Sequence, residues 1–319
     1  MSTAHAGGGG IGRDASWIRE LGQRFSNWGR FGSDDERGTL NFITRERVRN
    51  ACALPRSGQV ISCALPFDAR GPQNGALGRF NPEHTMLSTG QQAMPGGLHY
   101  TDDAVRMPLQ CGTQWDSLAH IFYDGKLYNG RDASLVTEAG AAANSIDRMA
   151  AGVVGRGVLL DLPRLRGQPW LDDGLALLPE DLDLCAERQG VTIESGDIVL
   201  VRTGRLGRAL AEGHWGGYLG GPTPGLSVRC LRWLFEREIA AVASDTSCVE
   251  VLPSEVPGCL LPLHMVAIRD MGLLLGEIFA LDALASACGA DGNYEFLFSA
   301  APLPITGAVG SPINPLAIK

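Results

Sequence analysis

The sequence predicts an α/β protein. Short apolar runs of strand length end on acidic or hydroxyl residues, segments of helical spacing lie between them, and glycine or proline marks most joins. No internal repeat breaks this alternation over the 319 residues, a length ample for a sizeable core.

Residues 1–26 read as a flexible tail around Gly7 to Gly10 followed by a short amphipathic helix, Ala15 to Phe25; residues 27–319 read as one domain. The stretch Asn27 to Asn41 is too polar for a core element and too rich in aromatic and charged residues for a linker. Thr44 can N-cap a helix to about Cys52, with Pro55 stopping it. Gln59 to Leu65 alternates as a strand, and Pro66 to Gly97, dense in Gly, Pro and Asn, reads as a long loop of the kind that often carries function. Asp124-Gly125 marks a turn. Gly157 to Leu162 is a buried-type strand, and Pro179 to Gln189 a helix with Pro at its first turn and Gly190 just past its end. Asp197 to Arg202 is a second apolar strand. Ser227 can cap a helix through about Arg237, and Ile239 to Ala243 forms a third strand running into Ser244-Asp245-Thr246.

Composition narrows the function. With 45% hydrophobic residues, 19% charged residues and a net charge of -8, the chain lacks the clustered positive charge of a nucleic-acid surface. No apolar run is long enough to span a bilayer, and the N-terminus has no apolar signal-peptide core, so a soluble, cytoplasmic protein is expected. The eight cysteines include no C-x-x-C pair, which fits reduced thiols better than a zinc knuckle or disulfide framework. There is no G-x-G-x-x-G after the first strand, no Walker sequence and no G-x-S-x-G elbow.

The chemistry concentrates in Gln110 to His120, which reads Q-x-G-T-Q-x-D-x-x-x-H. Gln110, Gln114 and Asp116 fall at alternate positions, so a strand would turn them to one side, with Cys111 and Trp115 facing the other. Asp245 ends an apolar strand, where α/β proteins gather ligands. His264 lies among apolar neighbours, where a histidine more often serves the core than a ligand. Glu277, flanked by Leu275 and Ile278, is different: an unpaired buried carboxylate costs several kcal/mol, so it needs a partner or a metal. Trp28, Phe31 and His214, on glycine-rich segments, are candidates to bind a cyclic or aromatic substrate, His214 as part of a lid.

This spacing closely resembles H-x-G-T-H-x-D-x-P-x-H, the signature of the cyclase/kynurenine formamidase-like metal-dependent hydrolases. The resemblance extends over most of the chain from about residue 27, including Gly196 to Gly204, Pro224 to Ser227 and Gly310 to Pro315. It implies a swivelling β/β/α fold on a mixed central sheet, a homodimer, and a metal site. The ligand histidines of the signature fall on Gln110 and Gln114, the bridging aspartate on Asp116, the catalytic histidine on His120, and the downstream pair on His264 and Glu277. Asp245 resembles the aspartate of a further family segment.

The two glutamines change the expected chemistry. A Gln carbonyl is a weak, hard ligand where imidazole is a strong one, so Asp116, His264 and Glu277 would suit Mn²⁺ or Mg²⁺ better than Zn²⁺. A metal-free site is also open, with the Gln amides donating to an oxyanion and His120 as general base. The persistence of three ligand-type residues favours the metal. The expected activity is hydrolysis, or the reverse cyclisation, at an amide, imide or lactone carbonyl of a small cyclic or aryl compound, with His120 moving the proton and Gln110, Gln114 and Asp245 assisting. One alternative is a metal-independent cyclase or lyase. Another is a lapsed family member that only binds a small molecule, disfavoured because His120, Asp116, His264 and Glu277 persist together.

Overall fold

Four largely buried strands run parallel through the centre of a nine-stranded mixed sheet. The structure is a computed structural model and describes residues 14–319; the expected tail at Gly7 to Gly10 lies outside the described residues. In chain order the strands used below are β1 (Val60–Ser62), β2 (Glu83–Thr89), β3 (Thr101–Arg106), β4 (Gln114–Asp116), β5 (Val154–Asp161) and β6 (Ile198–Arg202). They continue with β7 (Ala241–Ser244), β8 (Leu274–Glu277), β9 (Glu295–Ser299), β10 (Gly310–Pro312) and β11 (Leu316–Ile318). The sheet order is β1-β11-β9-β5-β6-β7-β8-β4-β10. Strands β5 to β8 are the parallel core, and every other pairing within this sheet is antiparallel.

The parallel strands are apolar on both faces because helices and loops cover both. Val158 to Leu160, Ile198 to Val201 and Ala241 to Ala243 are all essentially without solvent contact. The crossovers carry the helices: Pro179–Gln189 between β5 and β6, Cys230–Glu236 between β6 and β7, and Pro262–Val266 between β7 and β8. Helix Pro179–Gln189 has the predicted bounds, and Gly190 closes it in the left-handed region at φ 67°. Thr44 caps Arg45–Ala51 as expected, its hydroxyl accepting the Arg47 N–H at 3.3 Å. The Ser227 helix begins only at Cys230, after a tighter turn in which the Cys230 N–H donates to the Ser227 carbonyl at 2.9 Å and the Leu231 N–H to Val228 at 3.2 Å. Among the described residues, no helix is long and apolar enough to cross a membrane.

Two expectations need correction. The predicted strand from Gln110 to His120 shrinks to Gln114–Asp116: Cys111 turns back onto the Pro108 carbonyl at 3.2 Å and His120 onto Ser117 at 3.1 Å. The predicted loop Pro66 to Gly97 contains β2, which pairs with β3 as a two-stranded ribbon. Both ribbon strands are solvent-exposed along nearly their whole length, so no face is buried and no apolar alternation could reveal them.

The polar stretch after Asn27 proves to be a clamp. Helix Pro262–Val266 runs on into a π turn, Ala267–Met271, whose final carbonyls lack helical partners. Asn27 N–H donates to the Asp270 carbonyl at 2.9 Å and its side-chain amide to Met271 at 2.8 Å. Trp28 donates to the Arg269 carbonyl at 2.7 Å, and Thr39 N–H to Gly272 at 2.9 Å. Residues 27–39 thus fix the end of the helix that carries His264.

Candidate active site

The antiparallel pairing of β8 with β4 sets the site. Glu277, the last residue of β8, lies directly opposite Gln114, and Asp116 follows two residues along the same face of β4. The register is held by Trp115, which packs over Gly276; a Cβ there would come within 2.4 Å of the indole. His264 comes in from its helix above. One ligand atom each of Asp116, His264 and Glu277 lies within 4.8 Å of the other two, and all three residues are buried.

A residue that sequence reasoning missed completes the group. Glu250 is 2% exposed and takes the Leu263 N–H at 3.1 Å, the His264 N–H at 2.9 Å and His264 Nδ1 at 2.6 Å. Holding Nδ1 this way turns His264 Nε2 toward Glu277, 3.3 Å away. The available signal was Glu250 between Val249 and Val251, the same apolar flanking that marked Glu277. Both glutamates adjoin a β-branched residue in the left-handed region, Val249 at φ 49° and Ile278 at φ 58°, a conformation that the surrounding fold must impose.

The electrostatics favour a cation. Three carboxylates, Asp116, Glu250 and Glu277, are buried around one imidazole. Burial would lower the His264 pKa, but the hydrogen bonds that its ring donates to Glu250 and Glu277 push it up to about 10. Burial, reinforced by Asp116, raises Glu277 to about 7. Gln114 Nε2 donates to Glu277 at 3.0 Å and to Asp116 at 3.3 Å, while Gln114 Oε1 is buried with no hydrogen-bond partner. Turning the Gln114 amide over would bring this unpartnered oxygen to the two carboxylates, a set that fits a divalent cation accepting oxygen ligands.

The remaining expected residues separate cleanly. His120 stands at the mouth, 20% exposed, with Nε2 3.8 Å from Asp116 Oδ1. Gln110 is on a turn, yet its amide reaches across to β10: its Nε2 is buried without a partner, against Gly310, which pairs with Asp116. Asp245 is not brought into the cluster. Its carboxylate is taken up by Thr203 N–H and hydroxyl, at 2.8 and 2.7 Å, and Gly204 N–H at 2.7 Å, so it ties the end of β6 to β7. Trp28 is engaged with Arg269, and Phe31 packs edge-on against Phe42, with ring centroids 5.1 Å apart. Both were expected at the substrate, and the structure gives both to the frame. His214 lines a separate cleft of about 290 Å³ with Leu65, Arg70 and Trp215, none of it formed by the acid cluster. Burial raises the Cys111 thiol to about 11, which disarms it as a nucleophile.

The comparisons bear on the family and the fold. The Cyclase family model matches residues 43–251. The crystal structure of a novel cyclase is 37% identical, with a TM-score of 0.86, covering 92% of this chain and 99% of its own. Isatin hydrolase A from Labrenzia aggregata, bound to benzyl benzoate, shares the fold at 21% identity and a TM-score of 0.60, over 81% of this chain and 93% of its own. A Bacillus stearothermophilus protein described as a "predicted metal-dependent hydrolase" does so at 18% identity and a TM-score of 0.51, over 81% and 97%. No curated protein matches the chain. With two thirds of its length under one family model and a close structural relative over nine tenths of it, this chain is a member of the cyclase family.

Proposed function

We propose that the protein hydrolyses, or closes in the reverse direction, an amide, imide or lactone carbonyl in a small cyclic or aryl compound. The observation that carries this reading is the buried triad Asp116, His264 and Glu277, with His264 locked from behind by Glu250. These three would hold a divalent cation, joined by the Gln114 carbonyl oxygen. The donor set of oxygens and one nitrogen suits Mn²⁺ better than Zn²⁺. When bound, such a cation polarises a carbonyl and acidifies water.

The chain's own residues do the rest. Gln110 Nε2, a buried donor with nothing to bond, can donate to the carbonyl oxygen as it gains charge. His120, the half-open member of the site, exchanges a proton between the reacting centre and solvent. Asp116 lies between His120 and Glu277 and orients both the imidazole and the attacking water. The relatives' descriptions support a hydrolase on small cyclic compounds.

One observation favours a second, metal-free reading. Gln114 Nε2 already bridges Asp116 and Glu277, as a cation would. Metal analysis and chelator treatment, followed by assay on lactones, N-formyl amides and cyclic imides, separate the two. We also read the protein as a homodimer, a reading supported by the β2–β3 ribbon and its connecting loop, which expose Leu87 (66%), Val105 (58%) and, on the loop, Leu98 (59%) to solvent. A monomeric mass by light scattering contradicts it.

A further inference from the structure

A cleft of about 620 Å³ opens at the carboxyl end of β5, and none of its lining belongs to the acid cluster. The carboxyl ends of parallel strands are where α/β proteins gather ligands, and the volume is that of a small-molecule site. Asp161 ends β5 and caps the short helix Leu162–Leu165, which forms one wall. Helix Pro179–Gln189 forms another, fastened to β5 by Gln189: its Oε1 accepts the Asp161 N–H at 2.9 Å and its Nε2 donates to the Leu159 carbonyl at 2.6 Å. Arg164, Arg166 and Arg188 line the cleft against two carboxylates, Asp161 and Asp181. Both carboxylates are already engaged. Asp161 is shared between Arg164 at 3.2 Å and Arg202 at 2.7 Å, and Asp181 takes Arg166 at 2.9 Å and the Leu178 N–H at 2.9 Å. Arg188, in the last turn of its helix, has no ion-pair or hydrogen-bond partner among the described residues.

Positive charge is therefore left over in this cleft, in a chain whose net charge is -8. The fold makes room for it: a Cβ on Gly289 would come within 2.1 Å of the Arg164 guanidinium. Beside the guanidiniums lie Leu165, Leu184 and Tyr294. Leu184 stands 43% exposed on a helix whose other leucine, Leu182, is fully buried. Several arginine forks can be satisfied together by the three oxygens and near-double charge of a phosphate monoester, while a carboxylate offers two oxygens and one charge. We propose that this cleft binds a small organic phosphate, its phosphate held by Arg188 and the neighbouring arginines and its apolar part laid on Leu184 and Tyr294. The binding is non-covalent and does not depend on what the acid cluster does.

Calorimetric titration of the full-length protein with phenyl phosphate, inorganic phosphate and benzoate tests this. A chelator is kept present, so that no cation in the acid cluster can take the phosphate. Phenyl phosphate should bind most tightly, about 10-fold better than inorganic phosphate, the gain from covering part of one ring. Arg188→Gln should weaken both phosphates by roughly 10-fold, the scale of a charge-assisted hydrogen bond, and Arg188→Lys should keep part of the affinity. Leu184→Ala should weaken phenyl phosphate and leave inorganic phosphate unchanged. Arg188 and Leu184 are exposed and unpaired, so circular dichroism should show all three variants folded. No binding of phenyl phosphate in the millimolar range, or an affinity within about twofold of wild type in Arg188→Gln, overturns the proposal. Benzoate bound as tightly as phenyl phosphate overturns it as well.

Discussion

His264 Nδ1 lies 2.6 Å from Glu250 Oε1, and the same carboxylate also receives the His264 backbone N–H at 2.9 Å. One side chain thus fixes both the start of a helix and the direction of its imidazole. Glu250→Gln keeps an oxygen for the backbone but removes the charge behind the ring. Its divalent-metal affinity should fall about 10- to 100-fold, the usual loss when a residue behind a metal-binding histidine is changed. Titration calorimetry with Mn²⁺ measures this, and an unchanged affinity would remove Glu250 from the site. Glu250→Ala should destabilise the fold by about 3–5 kcal/mol, since it strips the partner from a buried imidazole and two buried amides.

His120→Ala should lower kcat by roughly 10²- to 10⁴-fold, the cost of losing general acid–base catalysis. Because the ring is part-exposed and its nearest carboxylate is 3.8 Å away, the melting temperature should hardly move. His120→Asn should fare little better than Ala, as it cannot accept a proton. A near-native kcat in either variant would shift the proton-transfer role to Glu277.

Restoring histidine at Gln110 and Gln114 together should raise zinc affinity and lower turnover on the native substrate. Gln114 would give up its bridge between Asp116 and Glu277, and Gln110 its buried donor against Gly310. Turnover equal to wild type in the double variant would show that neither amide touches the reacting centre.

Asp245 supplies a pH signature away from the cluster. Burial raises its pKa from 3.8 to about 6, so the folded state holds the proton more tightly than the unfolded chain does. Its contribution to stability is therefore complete below about pH 4 and lost as pH rises through about 6. The stability difference between wild type and Asp245→Asn should shrink from pH 4.5 to pH 7 in urea unfolding, by up to about 3 kcal/mol. A difference independent of pH would contradict this assignment.

Much of this was legible in the sequence, and the losses have physical causes. Helix Pro179–Gln189 and the parallel strands carry local signals, caps and apolar runs, that tertiary packing did not need to override. The Asp116, His264 and Glu277 cluster was readable because residue type and spacing survive. Gln110 was misplaced on a strand because alternation continues through a turn that only the Pro108 carbonyl and Gly112 reveal. Trp28 and Phe31 looked like ligand contacts because aromatic residues on glycine-rich segments serve a pocket or a clamp equally well; only the π turn shows the clamp. Asp245 sits where ligands gather, but its oxygens are taken by Thr203 and Gly204 just past the end of a neighbouring strand, 42 and 41 residues away in sequence. Glu250 carries the same local signal as Glu277, an acid between apolar residues, but its role emerges only when the fold sets it behind His264, 14 residues on.

We read Asp116, His264 and Glu277, with glutamine in place of two imidazoles, as a site for a hard divalent cation. The most direct measurement is the metal content of purified protein after exhaustive dialysis, followed by readdition of Mn²⁺ or Zn²⁺ to the chelator-treated sample. Little zinc should be retained, and Mn²⁺ should restore activity more fully than Zn²⁺. Near-stoichiometric zinc surviving dialysis, or full activity after chelation with no metal added, would contradict it.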